Sequence, residues 1–78
     1  MAMITVTSKI EAEPNKISAL RTELKGFTWP DGTVQYRVEV TAVVDGVALY
    51  DTVEFGDEGD AATEWCDIIK DDVNRAKA

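Results

Sequence analysis

Asp60, Glu64, Asp67 and Asp71 recur at intervals of 4, 3 and 4 residues. On a helix that turns about 100° per residue, they fall within an arc of roughly 60°. Carboxylates in such a row have three possible uses. They can hold a divalent cation, work as general acids and bases, or meet a basic partner. The sequence contains no histidine and a single cysteine, so any acid–base chemistry near neutral pH would need a strongly shifted carboxylate or lysine. Glycosidase-type chemistry needs two carboxylates facing each other across a cleft, and a 78-residue chain has little room for one. That leaves partner binding, or simply the solvent-facing surface that a helix normally has, and the sequence leaves both readings of the row open.

Metal binding fails on spacing. Asp57-Glu58-Gly59-Asp60 is acidic, but an EF-hand loop needs oxygen ligands at its positions 1, 3 and 5 and glycine at 6. Counting from Asp57, the third residue is Gly59 and the sixth is Ala62. These acids read as a solvated loop and the start of a helix, where negative charge suits the positive end of the helix dipole. Cys66 has no cysteine to pair with and no histidine to activate it. It reads as a small apolar residue at the margin of a core, in a reducing compartment. The sequence thus assigns no catalytic residue, no cofactor and no metal ligand.

Charge narrows the choice of partner. The chain has 15 acids against 8 bases, a net charge of −7. Direct binding to nucleic-acid phosphates needs a basic face, which this balance argues against. From Gly56 to Asp72 the acids Asp57, Glu58, Asp60, Glu64, Asp67, Asp71 and Asp72 meet only one base, Lys70, a local net charge of −6. Asp60–Glu64 and Asp67–Asp71 are like-charge i, i+4 pairs, each costing about 0.2–0.5 kcal/mol. A face chosen for solubility alone would mix lysines into those positions. Neighbouring carboxylates about 5–6 Å apart also match the spacing of phosphates along a nucleic-acid strand.

The elements that must carry this row follow from periodicity. Met3 to Ala12 alternates, with Ile4, Val6, Ile10 and Ala12 on one side and Thr5, Thr7 and Lys9 on the other, which predicts a strand. Pro14 opens a predicted short helix with Ile17, Leu20 and Leu24 as its buried stripe and Gly26 as its terminator. Trp29-Pro30-Asp31-Gly32 is a turn signal. Val34 to Val44 alternates again, Asp45-Gly46 makes a hairpin turn, and Val47 to Phe55 returns. A two-residue turn sets Val44 against Val47, Val38 against Val53, Tyr36 against Phe55 and Arg37 against Glu54. It also sets Asp51 against Val40 on the core side, so either a bulge or longer loop shifts the register there or that face is open at Asp51. The last helix is predicted from about Asp60 to Ala76, with Ala61, Ala62, Trp65, Ile68, Ile69, Val73 and Ala76 as its apolar arc and Trp65 as its largest anchor.

The expected fold is therefore a single small α+β domain over residues 1–78. Its order is β-α-β-β-α: an antiparallel sheet of three or four strands with one or two helices packed on one face. No apolar run approaches the roughly 18 residues of a membrane span, and Met1 to Thr7 lacks the basic start and apolar centre of a signal peptide. A cytoplasmic protein is expected.

The run Arg37-Val38-Glu39, Val43-Val44-Asp45-Gly46, Phe55 and Glu64-Trp65 resembles small phage-encoded anti-CRISPR proteins that act on type I surveillance complexes. The resemblance covers roughly Tyr36 to Trp65; the N-terminal segment does not match. It implies a non-enzymatic inhibitor that binds the complex and blocks target DNA, in some members by mimicking its charge. No site residue carries over by motif.

Residues and resemblance together point to an acidic non-enzymatic binding protein. Its expected partner is a basic nucleic-acid-binding protein or complex, rather than nucleic acid or a membrane. The expected contact residues are Asp57, Glu58, Asp60, Glu64, Asp67 and Asp71. The alternative is a phage structural or assembly module that self-associates through the free face or edge of its sheet, near Thr41, Val43 and Tyr50. The sequence leaves the oligomeric state open.

Overall fold

The computed structural model describes residues 2–77. The chain begins with a small antiparallel hairpin, β1 (Ile4–Thr5) and β2 (Glu11–Ala12). A 3-10 turn at Pro14–Lys16 leads into three long strands, β3 (Ile17–Thr28), β4 (Val34–Val44) and β5 (Val47–Gly56), which form one antiparallel sheet in the order β3-β4-β5. A single helix, α1 (Gly59–Lys77), follows. The class is α+β, with one helix and the N-terminal hairpin against one face of the sheet.

The β4–β5 hairpin forms as its sequence predicts. Asp45 and Gly46 both take positive φ (51° and 79°), the conformation that a two-residue turn needs and that Asp-Gly supplies cheaply. Val44 pairs with Val47, Val38 with Val53 and Arg37 with Glu54. Alternation then buries Val38, Val40 and Ala42 completely. No register shift occurs at Asp51, which stays opposite Val40. The irregularity lies at the other end of β5, where Tyr36 pairs with Gly56 and Phe55 is the extra residue.

The helix predicted after Pro14 is strand β3. Ile17, Leu20 and Leu24 satisfy a helical spacing, but Leu20, Thr22 and Leu24 also alternate. Tertiary context decides between the two. β4 carries the centre of the core, Val38, Val40 and Ala42, and needs a hydrogen-bonded neighbour on each side; β5 supplies one and β3 the other, pairing from Ile17↔Val44 to Thr28↔Val34. Gly26 therefore ends no helix. It lies directly across from Tyr36, and a Cβ there would stand 2.8 Å from Tyr36 Cε1. Only glycine lets the ring lie flat on this strand. The Trp29–Gly32 turn becomes the tip of the β3–β4 hairpin, closed by Gly32 N–H donating to Trp29 C=O at 2.9 Å, with Gly32 at φ 90°.

The strand predicted over Met3 to Ala12 is broken by a turn. Val6 N–H donates to Ile10 C=O at 2.9 Å, and the Thr7 hydroxyl oxygen accepts from the N–H groups of Lys9 (3.3 Å) and Ile10 (3.1 Å). Val6, Ile10 and Ala12 are still buried, as alternation predicts, but so is Thr7.

Helix α1 seals the core through Ala62, Cys66, Ile69 and Val73, a stripe at spacing 4, 3 and 4. Cys66, at 9% the most exposed member of the core, sits at its margin, as expected. Trp65, the expected anchor, is half-buried and packs against Phe55 with ring centroids 5.9 Å apart. Ile68 points to solvent at 50% exposure, and Ala61 and Ala76 are exposed. The C-terminal end is tied down by Lys77 Nζ, which donates to Ile17 C=O at 2.8 Å. No helix among the described residues is long and apolar enough to cross a membrane.

Candidate functional site

Because the buried stripe of α1 is centred near Cys66 and Ile69, the opposite side of the helix faces water. Asp60, Glu64, Asp67 and Asp71 occupy that side, and all four are exposed. Along the axis the row spans about 16 Å at 1.5 Å per residue. Only Asp71 is neutralised, by Arg75 one turn on. Asp60, Glu64 and Asp67 have no ion-pair partner among the described residues.

The chain delivers Asp57 and Glu58 to the start of this row by a left-handed turn at Gly56 (φ 59°). Glu58 N–H donates to Phe55 C=O at 3.1 Å, and Glu58 C=O accepts from Ala62 N–H at 3.1 Å. Asp57, Glu58 and Asp60 thereby gather with Tyr36 around an open hollow of about 470 Å³. The six expected residues thus split into three acids around the hollow, including Asp60 at the head of the row, and Glu64, Asp67 and Asp71 along the helix. Among the described residues, no group of three or more histidine, cysteine, aspartate or glutamate side chains is disposed to hold a metal ion.

The sheet face turned away from α1 differs in kind, and sequence reasoning did not single it out as a whole. It carries Arg21, Glu23, Lys25 and Phe27 from β3, Gln35, Arg37, Glu39 and Thr41 from β4, and Tyr50, Thr52 and Glu54 from β5. Its charges largely answer one another. Glu39 takes Lys25 at 3.4 Å and Arg37 at 3.5 Å. The register sets Arg37 across from Glu54, as expected; the Arg37 guanidinium turns to Glu39, and Glu54 accepts from Gln35 Nε2 at 3.1 Å. Gln35 Oε1 accepts from Trp29 Nε1 at 2.9 Å, and Trp29 meets Phe27 edge-on at 5.3 Å. The clue to this face was the alternation of Arg21, Glu23, Lys25 and Phe27, which the helical reading of that segment hid.

Among the described residues, Asp51 is the one buried acid, at 7% exposure. The Thr7 hydroxyl, the Thr52 N–H (2.8 Å to Oδ1) and the Lys9 charge hold its carboxyl below the usual aspartate range, against the opposing effect of burial. Thr7 nevertheless forms no hydrogen bond of good geometry to it, and Oδ2 is left without a partner among the described residues. Asp31 is also lowered, by the backbone N–H of Thr33 and then by its hydroxyl.

Compared with protein-family models, with curated proteins and with solved structures, the chain matches none.

Proposed function

We propose that the protein is a non-enzymatic binding protein whose acidic helix face occupies a basic, nucleic-acid-binding surface of a partner protein. The observation that carries this reading is the row of exposed carboxylates on α1, three of them without an ion-pair partner among the described residues. Such a row costs the helix stability through Asp60–Glu64 repulsion, and a lysine-lined groove would relieve that cost. The mixed-charge sheet face offers no comparable match to a basic surface. The resemblance of Tyr36–Trp65 to anti-CRISPR proteins makes a type I surveillance complex the partner to test first, with a phage-encoded inhibitor acting in the host cytoplasm as the corresponding biology.

Attraction of this kind is long-ranged and screened by salt. Association should be fast at low ionic strength and weaken steeply as salt rises. The test is Glu64→Lys/Asp67→Lys. Both positions are exposed, so the fold should survive, and partner binding at low salt should be lost. Unchanged binding would remove the row from the interface.

A further inference from the structure

We propose that the β3 edge is a self-docking surface: two copies pair β3 with β3, antiparallel, about a two-fold axis through Leu24, giving one six-stranded sheet.

The two edges of the sheet are built differently. Edge β5 carries the inward-pointing carboxylate of Asp51, with Thr7 and Lys9 of the N-terminal turn beside it. An inward charge is one of the devices that keep an edge from pairing with another chain. Edge β3 has no inward-pointing charge; its charges, Arg21, Glu23 and Lys25, lie on the face turned away from α1. Its run Ala19–Thr28 contains no proline and no register shift. Its core-side residues, Leu20, Thr22, Leu24 and Gly26, carry no charge. Among the described residues, Ala19–Thr28 makes no backbone hydrogen bonds except those to β4. Leu24, facing the core side, is still 40% exposed.

Charge selects a second copy and a register. Glu23 lies directly across from Glu39, whose cations are Lys25 and Arg37. That leaves Glu23, and also Arg21, with no ion-pair partner among the described residues. An axis through Leu24 sets Leu24 against Leu24, Glu23 against Lys25 of the second copy twice, and Arg21 against the Phe27 ring twice. Each is a favourable cross-strand pair. An axis through Thr22 would match Arg21 with Glu23, but it reaches the irregularity between Ile17 and Ala19 after three residues. The Leu24 axis instead uses the straight run from Leu20 to Thr28. A two-fold of this kind stands perpendicular to the sheet, so both helices stay on one face and the two acid rows point the same way.

Sedimentation equilibrium of the full chain tests this, in about 0.15 M and about 1 M salt. The wild type should show twice the monomer mass, with the dimer persisting at the higher salt because backbone pairing and Leu24 contacts are not screened. Leu24→Lys should give a monomer with unchanged circular dichroism. Glu23→Lys and Lys25→Glu should each weaken dimerisation about tenfold, and Glu23→Lys/Lys25→Glu together should restore it. A wild type that stays monomeric at millimolar concentration overturns the proposal. So does a dimer indifferent to Leu24→Lys, or a double variant no better than either single one.

Discussion

Replacing Gly26 by alanine should destabilise the protein, and the reason should be the Tyr36 ring. A Cβ at position 26 would stand 2.8 Å from Tyr36 Cε1 and 2.9 Å from Cδ1, where ordinary carbon contacts are about 3.5–4.0 Å. The ring would have to retreat by about 0.7 Å to restore normal contact. Its far side is also close: a Cβ on Gly59 would be 3.0 Å from Tyr36 Cζ, so the ring lies between two glycines and has little room to move. Overpacking of this kind costs about 1–3 kcal/mol. The alanine recovers about 0.4–1 kcal/mol by restricting the unfolded chain, leaving a net loss within about 0–2.6 kcal/mol, with about 1–2 kcal/mol at the middle of that range. For a domain of this size that is a fall in Tm of roughly 4–15 °C. Urea unfolding followed by tryptophan fluorescence reads it directly. The decisive arm is Tyr36→Leu, in whose background Gly26→Ala should cost at least about 1 kcal/mol less. If Gly26→Ala is neutral, or its cost is the same with and without the ring, the cross-strand placement of Gly26 under Tyr36 is wrong.

Three further outcomes follow from the same structure. Glu64→Lys should leave stability unchanged or raise it by up to about 1 kcal/mol in urea unfolding, because it turns the Asp60–Glu64 repulsion into an attraction; a loss of more than that would mean Glu64 supports the fold. Ile69→Ala should cost about 2–5 kcal/mol, whereas Ile68→Ser, at a half-exposed position, should stay within about 0.5 kcal/mol of the wild type; equal costs would mean α1 is rotated from the orientation described. Because the folded pKa of Asp51 lies below the 3.8 of a free aspartate, its contribution to stability is complete above that value and is lost as pH falls through the lower folded value. Asp51→Asn should therefore flatten the fall in urea midpoint below about pH 4, and an unchanged fall would assign the acid limb to other carboxylates.

Legibility in the sequence followed redundancy of signal. The β4–β5 hairpin was marked twice, by alternation from Val34 to Val44 and by Asp45-Gly46, and its register from Arg37 to Val44 is the one observed. Helix α1 is marked by a long apolar arc, a glycine-rich acidic start and a basic end, and the observed helix differs from that pattern in its rotation. Trp65 drew the predicted axis of burial toward itself, although the small residues Ala62 and Cys66 allow closer approach to the sheet. Segment 14–25 carried two periodicities at once, and no local rule could choose between them. The need of β4 for a second neighbour, a property of the whole sheet, made it a strand. Asp51 was recognised as discordant, but the resolution differed: the chain keeps its register and accommodates the carboxylate beneath a turn 44 residues earlier in the sequence, at Thr7. The acid row was legible in full as geometry, because it depends only on helical repeat. The self-pairing pattern of Arg21, Glu23, Leu24 and Lys25 appears only once β3 is an edge.

The proposed function rests on the position and charge of the α1 face, which packs on the sheet with its acid row turned to water. The most direct measurement is displacement of labelled target DNA from a type I surveillance complex in low salt, using the wild type and Glu64→Lys/Asp67→Lys. The wild type should displace the DNA, high salt should suppress the effect, and the doubly reversed variant, folded by circular dichroism, should leave the DNA bound. Equal displacement by the variant would contradict the acidic face as the site, and no displacement by the wild type would contradict the choice of partner.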